Sequence, residues 1–325
     1  MFKDKTVLIT GGTGSFGQRL TRILLEEHGP GRIRIFSRGE ELQDRMRKNF
    51  TDESLRWFIG DVRDAERVEE AARGADVIVH AAALKQVPAC EYNPWEAVLT
   101  NVVGAENVVK AAKRLKVPRV ILISTDKAVH PVNIYGATKM MAEKIAIQGN
   151  VGQGHTHFSA VRYGNVMGSR GSVLPLFLRQ KEQGELTITD FRMTRFWITL
   201  DQGVQLVINS LRRMRGGEIF IPKIPSMKVT DLGRTVAPDA TQRATGIRPG
   251  EKMHECLITV EEARHALDLA DCYVIEPETP LWPYEPHDGE PLEEEFSLTS
   301  DNNPCWLDEP GLRKMVADYL EKRNV

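Results

Sequence analysis

The chain has 325 residues, 41% of them hydrophobic and 27% charged, with a formal net charge of −2. This is an ordinary globular composition, long enough for about two domains at ~100–200 residues each. The near-neutral balance excludes the basic footprint of a nucleic-acid or anionic-membrane binder, and no apolar run approaches the ~18 residues of a membrane span.

The first half alternates strand and helix signals. Short apolar runs at Thr6–Thr10, Arg32–Ser37, Leu55–Ile59, Val77–His80, 119–124 and 157–162 predict strands. Amphipathic patterns at Ser15–Glu27, 40–48, 64–73, 94–115 and 133–147 predict helices between them. Such alternation implies βαβ units and a parallel sheet covered on both faces. After residue 163 the regularity changes: a Gly/Ser-rich loop at 164–172, helices at 174–183 and 201–214, a strand at 218–221, then a mixed stretch over 222–257. The Pro- and acid-rich segment 277–291 reads as an ordered surface loop or linker.

The run Gly11-Gly12-Thr13-Gly14-Ser15-Phe16-Gly17 follows the first strand and opens the first helix. Glycines let the backbone turn tightly against a pyrophosphate, and the helix N-terminus offers free N–H groups. At the end of the second strand, where NAD sites place a carboxylate, stands Ser37-Arg38. A hydroxyl and a guanidinium suit a 2′-phosphate, which points to NADP. Asp61 and Val62 are candidates for the adenine, and Ala81, Ala82 and Ala83 let the chain run close to the cofactor.

Tyr135 and Lys139 lie one turn apart at the start of a helix. An ammonium beside the phenol is expected to lower its pKa from ~10 and make Tyr135 a base for a hydroxyl. Ser124-Thr125-Asp126-Lys127 ends the fifth strand, the side of an open α/β sheet that carries ligands. Ser124 or Thr125 is placed to hydrogen-bond the reacting hydroxyl. An adjacent acid and amine, Asp126 and Lys127, suggest a second proton-transfer step; the alternative is a solvated charge pair. His80 is expected to pack against the cofactor region. Gly154-His155-Thr156-His157 lacks a third ligand and His254-Glu255 lacks a second His, so no metal is expected. Isolated Cys90, Cys256, Cys272 and Cys305, and a chain that enters a strand directly, read as a reduced cytoplasmic protein.

These motifs, with the runs 83–94, 124–139, 223–228, 248–255 and 300–307, resemble the extended short-chain dehydrogenase/reductase superfamily over nearly the whole chain. More narrowly, they resemble the inverting UDP-N-acetylglucosamine 4,6-dehydratases of pseudaminic acid biosynthesis. The fold implied is α/β: a Rossmann-type doubly wound parallel sheet with a smaller C-terminal substrate-binding region. Residues 1–163 would form the NADP domain, with a return segment near 196–222, and 164–325 mainly the substrate region and C-terminal tail. The resemblance implies C4 oxidation with Tyr135 as base, C5 deprotonation by Lys127, protonation of the departing C6 hydroxyl by Asp126, return of hydride to C6 and inversion at C5. Retaining relatives carry Asp-Glu where this chain has Asp126-Lys127. It also implies Tyr163 at the nicotinamide, Lys85 near cofactor or substrate, and Asn165, Ser169, Arg170, Thr187, Arg195, Arg248 and Glu251 as substrate contacts. A homodimer or hexamer is expected. Leu42 stands where the family often carries a lysine, which leaves NAD open beside NADP. A 4-epimerase, a retaining dehydratase and a non-enzymatic NADP sensor are the competing readings.

Overall fold

The computed structural model describes residues 1–152, 154–168 and 172–323. Seven strands form a parallel sheet: β1 Thr6–Thr10, β2 Arg32–Ser37, β3 Leu55–Ile59, β4 Val77–His80, β5 Arg119–Ile123, β6 His157–Val161 and β7 Ile219–Pro222. Their order is β7-β6-β5-β4-β1-β2-β3, so the chain reverses direction across the sheet between β1 and β4. That reversal opens a crevice at the carboxyl ends of the strands, where open α/β sheets bind ligands. β8 Ala266–Asp268, β9 Cys272–Ile275 and β10 Glu290–Pro291 extend the β7 edge in antiparallel fashion.

Alternation along β1 explains the two layers. Val7 and Ile9 enter one apolar cluster with Leu20 and Leu24 of helix α1, Ser15–Glu27. Leu8 enters the opposite cluster with Val68 of α2, Ala65–Ala72, and Val108 of α3, Gly104–Leu115. All three strand residues are fully buried, as a strand covered on both faces requires.

The expected helix over 94–115 is interrupted. A short helix at Pro94–Ala97 leads into a π-turn at Val98–Val103 before α3 begins. The extra residue per turn lets Asn101 face inward, where it clamps both backbone groups of Leu84 and donates to Thr138 Oγ1. The main sheet also takes more of the C-terminal half than a return at 196–222 allows. Helix α5, Leu200–Arg213, and β7 do return, but Thr194–Ile198 lies in a separate three-stranded sheet between Asn165–Val166 and Ser226–Lys228. A further apolar cluster, with Phe177, Trp197, Met227 and Leu312, fills this smaller layer. Over 277–291 the chain forms only the two-residue strand β10; Trp282 Nε1 fastens the loop to the Gly216 carbonyl.

Candidate active site

The glycine turn is built as its spacing implied. Gly11 has φ +68°, and a Cβ there would sit 2.8–2.9 Å from the backbone of Ala81 and Ala82. Only glycine lets the turn between β1 and α1 lie against the loop after β4. Gly14 caps α1 with no side-chain hydrogen bond, and the first turn carries no acid. Its N–H groups, together with the close-running Ala81–Ala83 backbone, therefore form a cradle that fits a pyrophosphate. Thr13 is buried, and Ser15 and Phe16 are partly buried. Gly17 presses against Gly12.

At the end of β2, Arg38 is half-exposed and its nearest acid is Asp61, at 3.8 Å. Asp61 is held mainly by Arg63, at 2.6 Å. Ser37 Oγ accepts from Gln43 Nε2. The Val62 side chain is buried against the Cα face of Gly104. His80 is buried at the end of β4, where its Nδ1 bonds Thr10 Oγ1 at 2.7 Å. Burial, helped by the charge of Lys139, pushes its pKa down to about 3, so the ring is neutral.

The catalytic candidates converge after β5. Asp126–Ala128 form a single 3₁₀ turn packed on helix α4, Ile134–Gln148. Gly136 makes that approach possible, because a Cβ there would sit 2.1 Å from the Lys127 carbonyl oxygen. Asn133 caps the helix through the Gly136 N–H and donates to the Gly250 carbonyl, tying the 248–251 loop to the same corner.

Within this corner Lys127 Nζ lies 3.0 Å from Asp126 Oδ1, 3.2 Å from Asn165 Oδ1 and 3.2 Å from Glu255 Oε1. Thr125 Oγ1 donates to Asp126 Oδ1 at 2.9 Å. Asp126 is fully buried. Burial raises its pKa; Lys127 opposes the rise and Glu255 adds to it. The two carboxylates raise the Lys127 pKa and outweigh its burial, so the lysine is an ammonium at rest.

Two expectations change here. The Tyr135 phenol is not lowered: burial pushes it up to about 12, and the cation opposing that rise is Lys127. Lys139 is itself pushed down to about 8 by burial, against the pull of Glu143. Arg195 does not open toward a ligand. It is buried, and its Nη groups donate to the carbonyls of Thr194, Lys252 and Met253.

Other candidates stand apart or at the rim. Thr187 is held by Gln180 within the smaller layer. Arg248 is exposed, 3.6 Å from Glu251, and Lys85 is exposed on the loop after β4. Tyr163 is buried and its carbonyl accepts from the Asp126 N–H. Ser169 and Arg170 lie outside the described residues. Ser124 Oγ, Asp126 Oδ2, Glu251 Oε2 and Glu255 Oε2 are buried with no hydrogen-bond partner among the described residues. Four orphaned oxygens near one crevice are what a polar ligand site leaves behind.

Glu255, Lys252, Asn101 and the buried group Glu143–Arg162–Glu262 were missed by sequence reasoning. Lys252 and Glu255 lie in the 248–255 run, but nothing local to that run shows that folding sets Glu255 beside Lys127.

A family model described as polysaccharide biosynthesis protein matches residues 7–277. The chain belongs to that family. The inverting UDP-N-acetylglucosamine 4,6-dehydratase of Campylobacter jejuni is 47% identical over 97% of this chain and 98% of its own length. A UDP-glucose 4-epimerase of Rickettsia canadensis is 46% identical over 85% of the chain and 84% of its own length. Among solved structures, Pen from Bacillus thuringiensis superposes with a TM-score of 0.90 at 39% identity, covering 98% of this chain and 99% of that one. DesIV, a dTDP-glucose 4,6-dehydratase from Streptomyces venezuelae solved with NAD, superposes at 0.72 with 22% identity, covering 98% of both chains. The fold is thus that of the extended short-chain dehydrogenase/reductases.

Proposed function

We propose that this dehydratase converts UDP-N-acetylglucosamine to UDP-2-acetamido-2,6-dideoxy-β-L-arabino-hex-4-ulose, the first step of pseudaminic acid biosynthesis. The observation that carries the reading is the buried Asp126–Lys127 pair, whose charges act on the Tyr135 phenol. Exchange of configuration at C4 needs one base at one hydroxyl. A second acid and amine beside that base have work only if another proton-transfer step follows. The 47% identity to an inverting dehydratase over almost the full length supports the same choice.

The cofactor we assign is NADP, tightly held and recycled. The turn Gly11–Gly17 and the backbone of Ala81–Ala83 would hold its pyrophosphate, with Ser37 and Arg38 at the 2′-phosphate. When bound, its nicotinamide supplies a hydride acceptor for sugar C4 and a donor for C6. Tyr135 is the base at the C4 hydroxyl once its own phenol proton has left to solvent, with Lys139 one turn below. The resulting 4-keto group acidifies C5–H. Asp126, kept protonated by its burial, gives its proton to the C6 oxygen as water leaves. Lys127 is the base at C5, and it must first shed the proton it holds at rest. Asn165, Lys85, Arg248 and Glu251 are the substrate contacts we assign, and Glu251 brings an oxygen with no hydrogen-bond partner among the described residues.

Proton NMR of the protein with UDP-N-acetylglucosamine and trace NADP⁺ in deuterated water tests this. A new 6-methyl signal, deuterium at C5 and the L-arabino configuration are the expected result. Retention at C5 would move the chain to a retaining dehydratase. An intact C6 hydroxymethyl with inverted C4 would make it a 4-epimerase, the activity named for the Rickettsia relative.

A further inference from the structure

Lys127 stands between two buried carboxylates, Asp126 on its own turn and Glu255 from the 252–255 segment. Among the described residues Lys127 is the one cation that pairs with both, and like charges sharing a dry site resist ionising together. The surroundings of the two acids differ. Glu255 also faces Arg195 Nε at 3.9 Å and Lys252 Nζ at 3.7 Å. Its main chain is pinned on both sides by Ser300, which accepts the Glu255 N–H on Oγ and donates its own N–H to the Glu255 carbonyl. Among the described residues Asp126 pairs with no cation but Lys127, and it has a hydroxyl donor in Thr125 and an Oδ2 with no partner. Tyr135 is the remaining titratable group that faces the pair, and it is a neutral phenol at rest.

We infer that Glu255 is the counter-ion of Lys127, and that it thereby leaves the shared proton on Asp126, making a buried aspartate a proton donor at neutral pH. Glu255 is a positioning residue: it acts through Lys127 and Asp126. The directions agree, since Glu255 is held below the usual carboxylate range by those cations and Asp126 is raised. The inference rests on the dehydratase reading above and deepens it. During elimination the Lys127 ammonium proton passes to Glu255 and the free amine takes the C5 proton. Asp126 protonates the C6 oxygen. The C5–H electron pair becomes the C5–C6 double bond as the C6–O pair leaves with water. Asp126 is then a carboxylate and Glu255 an acid, and transfer through Lys127 restores the starting state.

Difference infrared spectroscopy of the full-length protein in deuterated buffer at neutral pH reads this without substrate. A carboxylic-acid carbonyl band is expected, absent in Asp126→Asn and absent in Glu255→Gln, where Asp126 must become the counter-ion. Glu255→Asp, which keeps the charge, is expected to retain it. Lys252→Met, a milder change at the same carboxylate, is expected to weaken it and covers the case in which Glu255→Gln does not fold. In turnover, Glu255→Gln is expected to lose about 10²-fold in kcat with KM little changed, and its high-pH limb moves to lower pH. A missing band, a band that survives in Asp126→Asn, or one that Glu255→Gln and Lys252→Met both leave unchanged would overturn the inference. Failure to dehydrate UDP-N-acetylglucosamine would instead overturn the proposed function, because the band is read from the resting protein.

Discussion

At the scale of single residues, the site is a set of groups whose charges are chosen by burial and by one another. Tyr135 is a phenol pushed up to about 12. Its removal takes away the base assigned to the C4 hydroxyl. Tyr135→Phe is therefore expected to lower kcat by about 10²–10⁴-fold while UDP binding, measured by calorimetry, stays close to that of the unaltered protein. Asp126→Asn removes the donor for the leaving oxygen and spares the C4 step. Its expected signature is a 4-keto sugar that keeps its C6 hydroxymethyl, read by NMR; normal 6-methyl formation would remove Asp126 from the elimination. Tyr135, Lys139, Asp126 and Lys127 were legible in the sequence because each belongs to a short run at the end of a predicted strand or the start of a predicted helix. The sign of the Tyr135 shift was not, because desolvation depends on what packs over the phenol. Glu255 was not legible either: its meaning comes from a lysine 128 positions earlier in the chain.

At the scale of elements, the chemistry depends on how closely the 3₁₀ turn at Asp126–Ala128 meets helix α4. Gly136 sets that distance, and a methyl group there would have to displace the Lys127 carbonyl. Gly136→Ala is expected to cost about 1–3 kcal/mol in denaturant unfolding and to lower kcat as the turn is pushed away from Tyr135. A variant with wild-type stability and rate would show that the turn yields freely. Behind the same helix, Arg162 joins Glu143 and Glu262 through four hydrogen bonds of 2.8–3.2 Å. This group locks α4 to β6 and to the segment that follows Glu255. Breaking a buried ion network from one side leaves uncompensated charge, so Arg162→Ala is expected to cost about 3–5 kcal/mol. The period-2 and period-3.6 patterns showed these elements correctly, but the π-turn at Val98–Val103 escaped them. An amphipathic stripe does not reveal an added residue per turn when the reason for it, Asn101 reaching Leu84, lies 17 residues back.

At the scale of the whole molecule, the buried titratable groups make stability fall on acidification in two stages. The His80 pKa is depressed from 6.5 to about 3, so below about pH 6.5 the unfolded chain takes up a proton the native ring refuses. Stability is complete above that value and declines as pH falls toward 3. Glu218, Glu255 and Glu262 are depressed carboxylates, whose contribution is present above their ordinary value of 4.5 and is lost as pH falls through their folded values. Urea midpoints measured from pH 8 to pH 4 are expected to drop first below about 6.5 and more steeply below about 4.5. His80→Gln is expected to flatten the first stage; an unchanged first stage would assign it to another group.

By itself the sequence determined the alternation of strands and helices in chain order, the glycine turn, the catalytic tyrosine helix and the acid–amine pair. These are local facts: hydrophobic period, a turn that demands glycine, and spacings of one helical turn. The tertiary structure alone decided which carboxylate accompanies Lys127, that Arg195 faces inward to carbonyls, that Val62 packs on Gly104, and that β8, β9 and β10 extend the main sheet in antiparallel fashion. Charge state and burial are properties of what surrounds a group in space. Segments as distant as 126–127, 195, 252–255 and 300 acquire a joint chemistry only when the fold excludes water from between them.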